Sequence, residues 1–148
     1  MNMKKVIKKE LTYDSSVILC KAKTIEANKW IEGSYVLIKK QRITHSYIVT
    51  NDGIAKEIHP DSICRFTGYT LDGVKIWEND QIKQLQDSRF VAAIRFGTYR
   101  NVSDTSATEH VGFFVDWDEE SYLRKDLGFF IHRFADNNYF PFCLIQTK

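Results

Sequence analysis

A mainly β fold with one or two short helices is what this sequence predicts, and three observations predict it. Aromatic residues make up 14% of the chain, a share that suits sheets packed around bulky rings better than a helical bundle rich in Leu and Ala. Segments of β-branched and aromatic residues, among them YVLIKK, SYIVT and IAKEI, recur between short polar breaks. Two of those breaks, Asn51-Asp52-Gly53 and Leu71-Asp72-Gly73, carry residues that accept the positive φ angles of a tight hairpin turn.

At 148 residues the chain can bury one sizeable core, so a single domain is expected. No apolar run approaches the roughly 20 residues that span a bilayer, and the start, MNMKKVIKKELTYDSS, lacks the apolar stretch of a secretion signal. A cytoplasmic protein with no membrane partner is the expectation. Cys20, Cys64 and Cys143 are odd in number and far apart, which fits reduced, mostly buried thiols and neither a disulfide set nor a CxxC motif. Charge is uneven: residues 1–42 hold ten Lys or Arg against four Asp or Glu, and residues 43–148 hold eleven against fifteen. A solubilising amino-terminal tail is the favoured reading of that excess, ahead of a polyanion-steering surface.

Along the chain, the first dozen residues fit a short helix, a docking strand or a frayed end. The apolar run Val17 to Cys20 follows Asp14, Ser15 and Ser16 and predicts a strand. The strands ending at Thr50 and starting at Ile54 should pair antiparallel across Asn51-Asp52-Gly53. Pro60 lacks an amide donor and holds His59 extended, so a single turn or short helix is expected before Arg65. Val74 to Trp77 alternates as a strand and Glu78-Asn79-Asp80 as a turn. Gln81 to Leu85 and Arg89 to Phe96 read as the next strands, and Gly97 to His110 as the longest polar connection and the first place to look for a partner. VGFFVDW and LGFFIHRF read as strands flanking DWDEESYLRKD, a short exposed helix or loop. The ending YFPFCLIQ should pack on the core or on another copy of the chain.

Chemical motifs are sparse. His45, His59, His110 and His132 match no metal-ligand spacing, and His132 between Ile131 and Phe134 reads as a packing residue. Cys64 beside Arg65 reads as a core cysteine. The acidic run Asp116, Asp118, Glu119 and Glu120 lacks the Gly and alternating ligands of a calcium loop and reads as a solvated face. Glycines occur without GxGxxG or GxxxxGK[ST] spacing, so no cofactor and no catalytic residue is expected. Arg95-Phe96-Gly97-Thr98-Tyr99-Arg100 interleaves cations and rings once, as single-stranded nucleic acid binding requires. Core and rim residues of one sheet account for the same pattern more often, so nucleic acid ranks below protein as a partner.

The segment FTGYTLDGVKIWENDQIK, Phe66 to Lys83, resembles the hallmark of the phage and prophage YopX family, in which a Tyr/Phe-Thr-Gly element leads through a turn to a Glu-Gly-Asp element and a strand. KWIEGSYV, SYIVT and IHPDSICRFTG upstream, and VAAIRFGTY and GFFVDW downstream, are similar to the flanking strands. The resemblance covers about residues 29–117. Asn79 stands where the family has Gly, a change a turn tolerates because Asn also accepts positive φ. The resemblance implies a small SH3-like β-barrel or roll with additional strands, in which Gly68, Asp72, Gly73, Trp77, Glu78 and Asp80 are structural. Asp80 would cap a turn, and Trp77 would anchor the core or an interface. No catalytic activity is implied.

The resulting expectation is a non-enzymatic accessory protein of phage or prophage origin in a bacterial cytoplasm, acting by self-association as a homo-oligomer or by binding a host protein. Arg95, Tyr99, Arg100, His110 and Trp117 are the candidate contact residues. Two alternatives remain beside it: a nucleic-acid-binding barrel using the basic amino-terminal region with Arg95, Tyr99 and Arg100, and a counter-defence inhibitor whose acidic stretch Asp116 to Glu120 imitates a polyanion toward a host nuclease.

Overall fold

The computed structural model describes residues 10–14, 18–84, 91–100, 109–117, 126–128, 131 and 142–145. Its strands are β1 Leu11–Tyr13, β2 Cys20–Lys23, β3 Trp30–Lys40, β4 Ile43–Val49, β5 Ala55–Glu57, β6 Cys64–Leu71, β7 Val74–Trp77, β8 Gln81–Gln84, β9 Val91–Tyr99, β10 His110–Trp117 and β11 Phe142–Ile145. The protein is mainly β, as its aromatic content and turn chemistry predict. The chain gathers into two compact units, one formed by Asp14–Gly68 and one by Met1–Tyr13 with Tyr69–Lys148. Among the described residues no helix is long and apolar enough to cross a membrane.

In the inner unit, residues 14–68, the strand order is β6-β2-β3-β4-β5. This sheet is open, not the closed SH3-like barrel that the family resemblance implies. No full ladder closes it: β5 spans only three residues, and the chain after it meets the end of β2 only through the bridge Thr24↔Ile58 and the bonds Ile25 N–H to Glu57 O at 3.0 Å and His59 N–H to Lys23 O at 2.9 Å before the 3-10 turn Pro60–Ser62. Ser62 ties that turn to β2, its Oγ accepting the Lys23 amide at 2.8 Å and donating to the His59 carbonyl at 2.7 Å. The antiparallel pairing across Asn51-Asp52-Gly53 is present, with Val49 opposite Ala55 and Gly53 at φ 77°. The strand expected over Val17 to Cys20 starts only at Cys20. Cys20 is the first residue placed between two partners, Gly33 and Arg65, whereas Ile18 is 91% exposed. Ala22, Ile48 and Ile58 are wholly buried and form the core, with Cys20, Ile31 and Ile63 against them.

The longest element of this unit is the hairpin of β3 and β4. β2 pairs with β3 only over Trp30–Gly33, and β5 with β4 only over Tyr47–Val49. Between those limits β3 and β4 pair with each other from Ser34↔Val49 to Lys40↔Ile43. The turn is Gln41-Arg42, both residues at positive φ, 48° and 69°.

In the second unit the Asp72-Gly73 hairpin, at φ 49° and 78°, turns β6 into β7. Asp72 also fastens β1, donating its amide to the Glu10 carbonyl at 2.8 Å and accepting the Glu10 amide on Oδ1 at 2.7 Å. Leu11, Thr12 and Tyr13 pair with Leu71, Thr70 and Tyr69. A second open sheet runs β10-β9-β8-β11. Leu71, Ile76, Ile82, Ala92, Ile94, Val115, Leu127 and Ile131 fill the core. Of the segment LGFFIHRF, expected to be a strand, the described residues Leu127, Gly128 and Ile131 are helical, and its other residues lie outside the described ones. Leu127 and Ile131 stand four residues apart, the spacing that puts two side chains on one helix face, and both are buried in that core. The expected helix or loop at residues 118–125, the middle of the expected 97–110 connection, and His132 lie outside the described residues. The ending expected to pack contributes β11, which pairs with β8 from Phe142↔Gln84 to Ile145↔Gln81.

Tyr69 stacks on Tyr13 with ring centroids 4.5 Å apart. Burial pushes the Tyr69 hydroxyl above its ordinary 10.0, and the neighbouring Tyr13 adds to the rise. The unfolded chain therefore gives up this proton first. The stability tied to the protonated phenol is complete below pH 10 and is lost as pH rises through the higher folded value. A Tyr69→Phe variant should consequently lose less of its thermal midpoint than the parent between about pH 9 and about pH 11; equal losses would contradict the assignment.

Candidate functional site

Residues directly opposite each other in an antiparallel ladder share a face, so the β9–β10 register decides which candidate residues meet. Tyr99 pairs with His110, Gly97 with Gly112, Arg95 with Phe114, and Ala93 with Asp116. Tyr99, His110, Arg95, Phe114 and Asp116 therefore belong to one face. The alternate set carries Ile94 opposite Val115, both in the core, and Phe96 opposite Phe113, of which Phe113 packs against the core while Phe96 is exposed. Of the contact residues expected from sequence, Arg95, Tyr99 and His110 come together. Arg100 is exposed immediately after Tyr99. Trp117 is opposite Ala92 in the ladder.

The glycine pair gives this face its shape. Gly97 and Gly112 sit at φ 155° and 156°, with nothing within 4 Å of where a Cβ would be. The gap leaves room for the rings on either side of it to lean together, as aromatic side chains do over strand glycines. Tyr99 lies 5.2 Å from Phe114 at an interplanar angle of 27°, and 5.3 Å from His110 at 24°. One tyrosine ring is thus stacked with two others. Its hydroxyl donates to Asp126 Oδ1 at 2.7 Å, and Asp126 itself bridges to Phe114 through the backbone.

Arg95 is oriented by the neighbouring turn. Its Nη1 donates to Asn79 Oδ1 at 2.6 Å, and its Nε lies 4.0 Å from Asp116 Oδ2. Asn79 holds φ 73°, the backbone angle a glycine would supply, and adds a side-chain acceptor that glycine lacks. Asp80 is wholly buried and accepts the Trp77 amide on Oδ2 at 2.9 Å. The turn is tied to β9 by Asn79 N–H to Ile94 O at 2.8 Å and Ile94 N–H to Asp80 O at 2.9 Å. The remaining family-motif positions are also placed: Gly68 stands at φ 90° in β6, Trp77 is buried at the end of β7, and Glu78 is half-buried in the turn. Phe114, Asn79 and Asp126 are the members of the face that sequence reasoning passes over, because register and turn geometry bring them in.

His45 Nδ1 lies 3.3 Å from Glu57 Oε1, and the buried Cys64 thiol donates to the Ser62 carbonyl at 3.5 Å. Among the described residues no cluster of three His, Cys, Asp or Glu side chains is placed to hold a metal ion. No family model, curated protein or solved structure matches the chain.

Proposed function

We propose that this is a non-enzymatic binding protein of the YopX type, of phage or prophage origin and working in a bacterial cytoplasm, which contacts a host protein or a second copy of itself through the β9–β10 face. The observation that carries the reading is the ring stack at Tyr99. A base-binding platform needs open ring faces, but the Tyr99 ring is already stacked with His110 and with Phe114 and its hydroxyl is held by Asp126. A prearranged patch of half-exposed rings beside an oriented arginine suits a protein interface, where rigid aromatic and Arg anchors supply most of the affinity. Nucleic acid ranks below protein at this face for the same reason. In the inhibitor alternative the acidic stretch has Asp116 as its one described member, and its Oδ2 lies 4.0 Å from Arg95 Nε.

The test is retention of partner by the tagged protein in an extract of a bacterial host treated with nuclease, together with its mass in solution by light scattering. The parent should retain a nuclease-resistant protein or run as an oligomer. A Phe114→Ala, Arg95→Glu variant should weaken that association about tenfold or more, the range of a truncated anchor residue. Undiminished association of a folded variant, or retention of a nuclease-sensitive polymer alone, would overturn the reading.

A further inference from the structure

Beyond Leu37↔Ser46 the outer end of the β3–β4 hairpin is a two-stranded ribbon whose backbone ladder, among the described residues, has no third strand; at its base His45 Nδ1 lies 3.3 Å from Glu57 Oε1 of β5. Its last three pairs are Ile38↔His45, Lys39↔Thr44 and Lys40↔Ile43, closed by Gln41-Arg42. Both of its faces are open: Leu37 is 56%, Ile38 38% and Ile43 61% exposed, and Lys39, Lys40, Arg42 and Thr44 are exposed as well. Residues 33–46 contain Lys39, Lys40 and Arg42 and no Asp or Glu. Three such pairs at the end of a sheet are costly to maintain without a purpose, since long edges invite nonspecific pairing.

We infer that this ribbon is a binding arm for duplex DNA, entering the major groove with Ile38 and Ile43 against the base edges, Lys40 on that same face and Arg42 at the turn against the phosphates, and Lys39, on the opposite face with Thr44, reaching a phosphate of the groove wall. The B-form major groove admits a two-stranded ribbon, and a tip bearing three cations and no carboxylate complements its walls. Thymine methyl groups offer the apolar contact that Ile38 and Ile43 require. A lipid bilayer fits less well, because both outer backbone edges of the ribbon carry N–H and C=O groups that hydrocarbon cannot satisfy, whereas a groove supplies water and phosphate oxygens. A-form RNA is disfavoured by its deep, narrow major groove. The arm belongs to the inner unit and is independent of the β9–β10 face.

The experiment is fluorescence anisotropy of the full-length protein with a labelled mixed-sequence DNA duplex at about 50 mM and about 200 mM salt. Three phosphate contacts give a log–log salt slope near −2.7, so binding should weaken roughly 40-fold or more across that range. A Lys39→Gln, Lys40→Gln, Arg42→Gln variant, checked for an unchanged unfolding midpoint, should reduce the slope by about 3 and bind weakly at both salt concentrations. A second variant with Lys4, Lys5, Lys8 and Lys9 all changed to Gln should retain most of the ribbon's affinity. Absence of duplex binding at the lower salt would overturn the inference. So would equal binding by the ribbon variant, loss of binding only in the amino-terminal variant, or binding confined to phosphatidylserine vesicles or to a duplex of RNA.

Discussion

Gly33→Ala is expected to destabilise the inner unit by about 3 kcal/mol or more, at the upper end of what overpacking costs. A Cβ on Gly33 would lie 2.1 Å from the Val49 carbonyl oxygen, 2.8 Å from its carbon and 2.9 Å from Ile48 Cγ2. Two of those three atoms are backbone, so no rotamer change relieves the contact and β4 itself must move. Ile48 moves with it, and Ile48 is one of three wholly buried residues in the core of this unit. Gly53→Ala is the informative contrast. It has open space around it and φ 77°, so its cost is the roughly 1–2 kcal/mol of a left-handed backbone without displacement of the core. Denaturant unfolding should rank the two, and hydrogen exchange should localise the Gly33→Ala loss to residues 14–68. A Gly33→Ala protein within about 1 kcal/mol of its parent would show that β4 shifts cheaply.

This strand crossing also marks the boundary of what the sequence reveals. Asn51-Asp52-Gly53 and Asp72-Gly73 are legible as turns because their residue types tolerate the φ angles they adopt. Gln41-Arg42 adopts the same kind of turn with residues that have no preference for it; the ladder on either side imposes it. Short apolar runs are ambiguous by period, which is why LGFFIHRF reads as a strand while Leu127 and Ile131 pack as helical neighbours. The open sheet edges depend on where strands stop, and only Pro60 announces one of those stops. Arg95, Tyr99 and His110 stand out in sequence through their interleaving with rings and the polar connection between them. Their neighbours Phe114, Asn79 and Asp126 do not, because register across that connection and a turn on β9 are non-local. The basic excess of residues 1–42 is plain from counting, but attributing it to a tail hides Lys39, Lys40 and Arg42, whose significance appears only when β3 and β4 are seen to pair.

Asp80→Ala should remove about 3 kcal/mol from the second unit, combining a lost charge-assisted hydrogen bond with a buried amide left unmatched. Asp80 is wholly buried, and its carboxylate is the acceptor for the Trp77 amide. That bond closes a four-residue turn whose third residue, Asn79, already carries a positive φ of 73°. The turn in turn feeds β9, since the Asp80 carbonyl accepts the amide of Ile94, a core residue of the same unit. Asp80→Asn separates geometry from charge, because its side-chain oxygen can still accept from Trp77; it should recover at least half of the loss. Amide exchange reads the effect locally: protection at Trp77 and Ile94 should fall roughly 100-fold in Asp80→Ala and less in Asp80→Asn. The turn also presents Asn79 Oδ1 to Arg95, so Asp80→Ala should weaken association through the β9–β10 face even under conditions where the protein remains folded. Full protection and full association in Asp80→Ala would mean that this carboxylate is dispensable and that β7 and β8 hold the turn unaided.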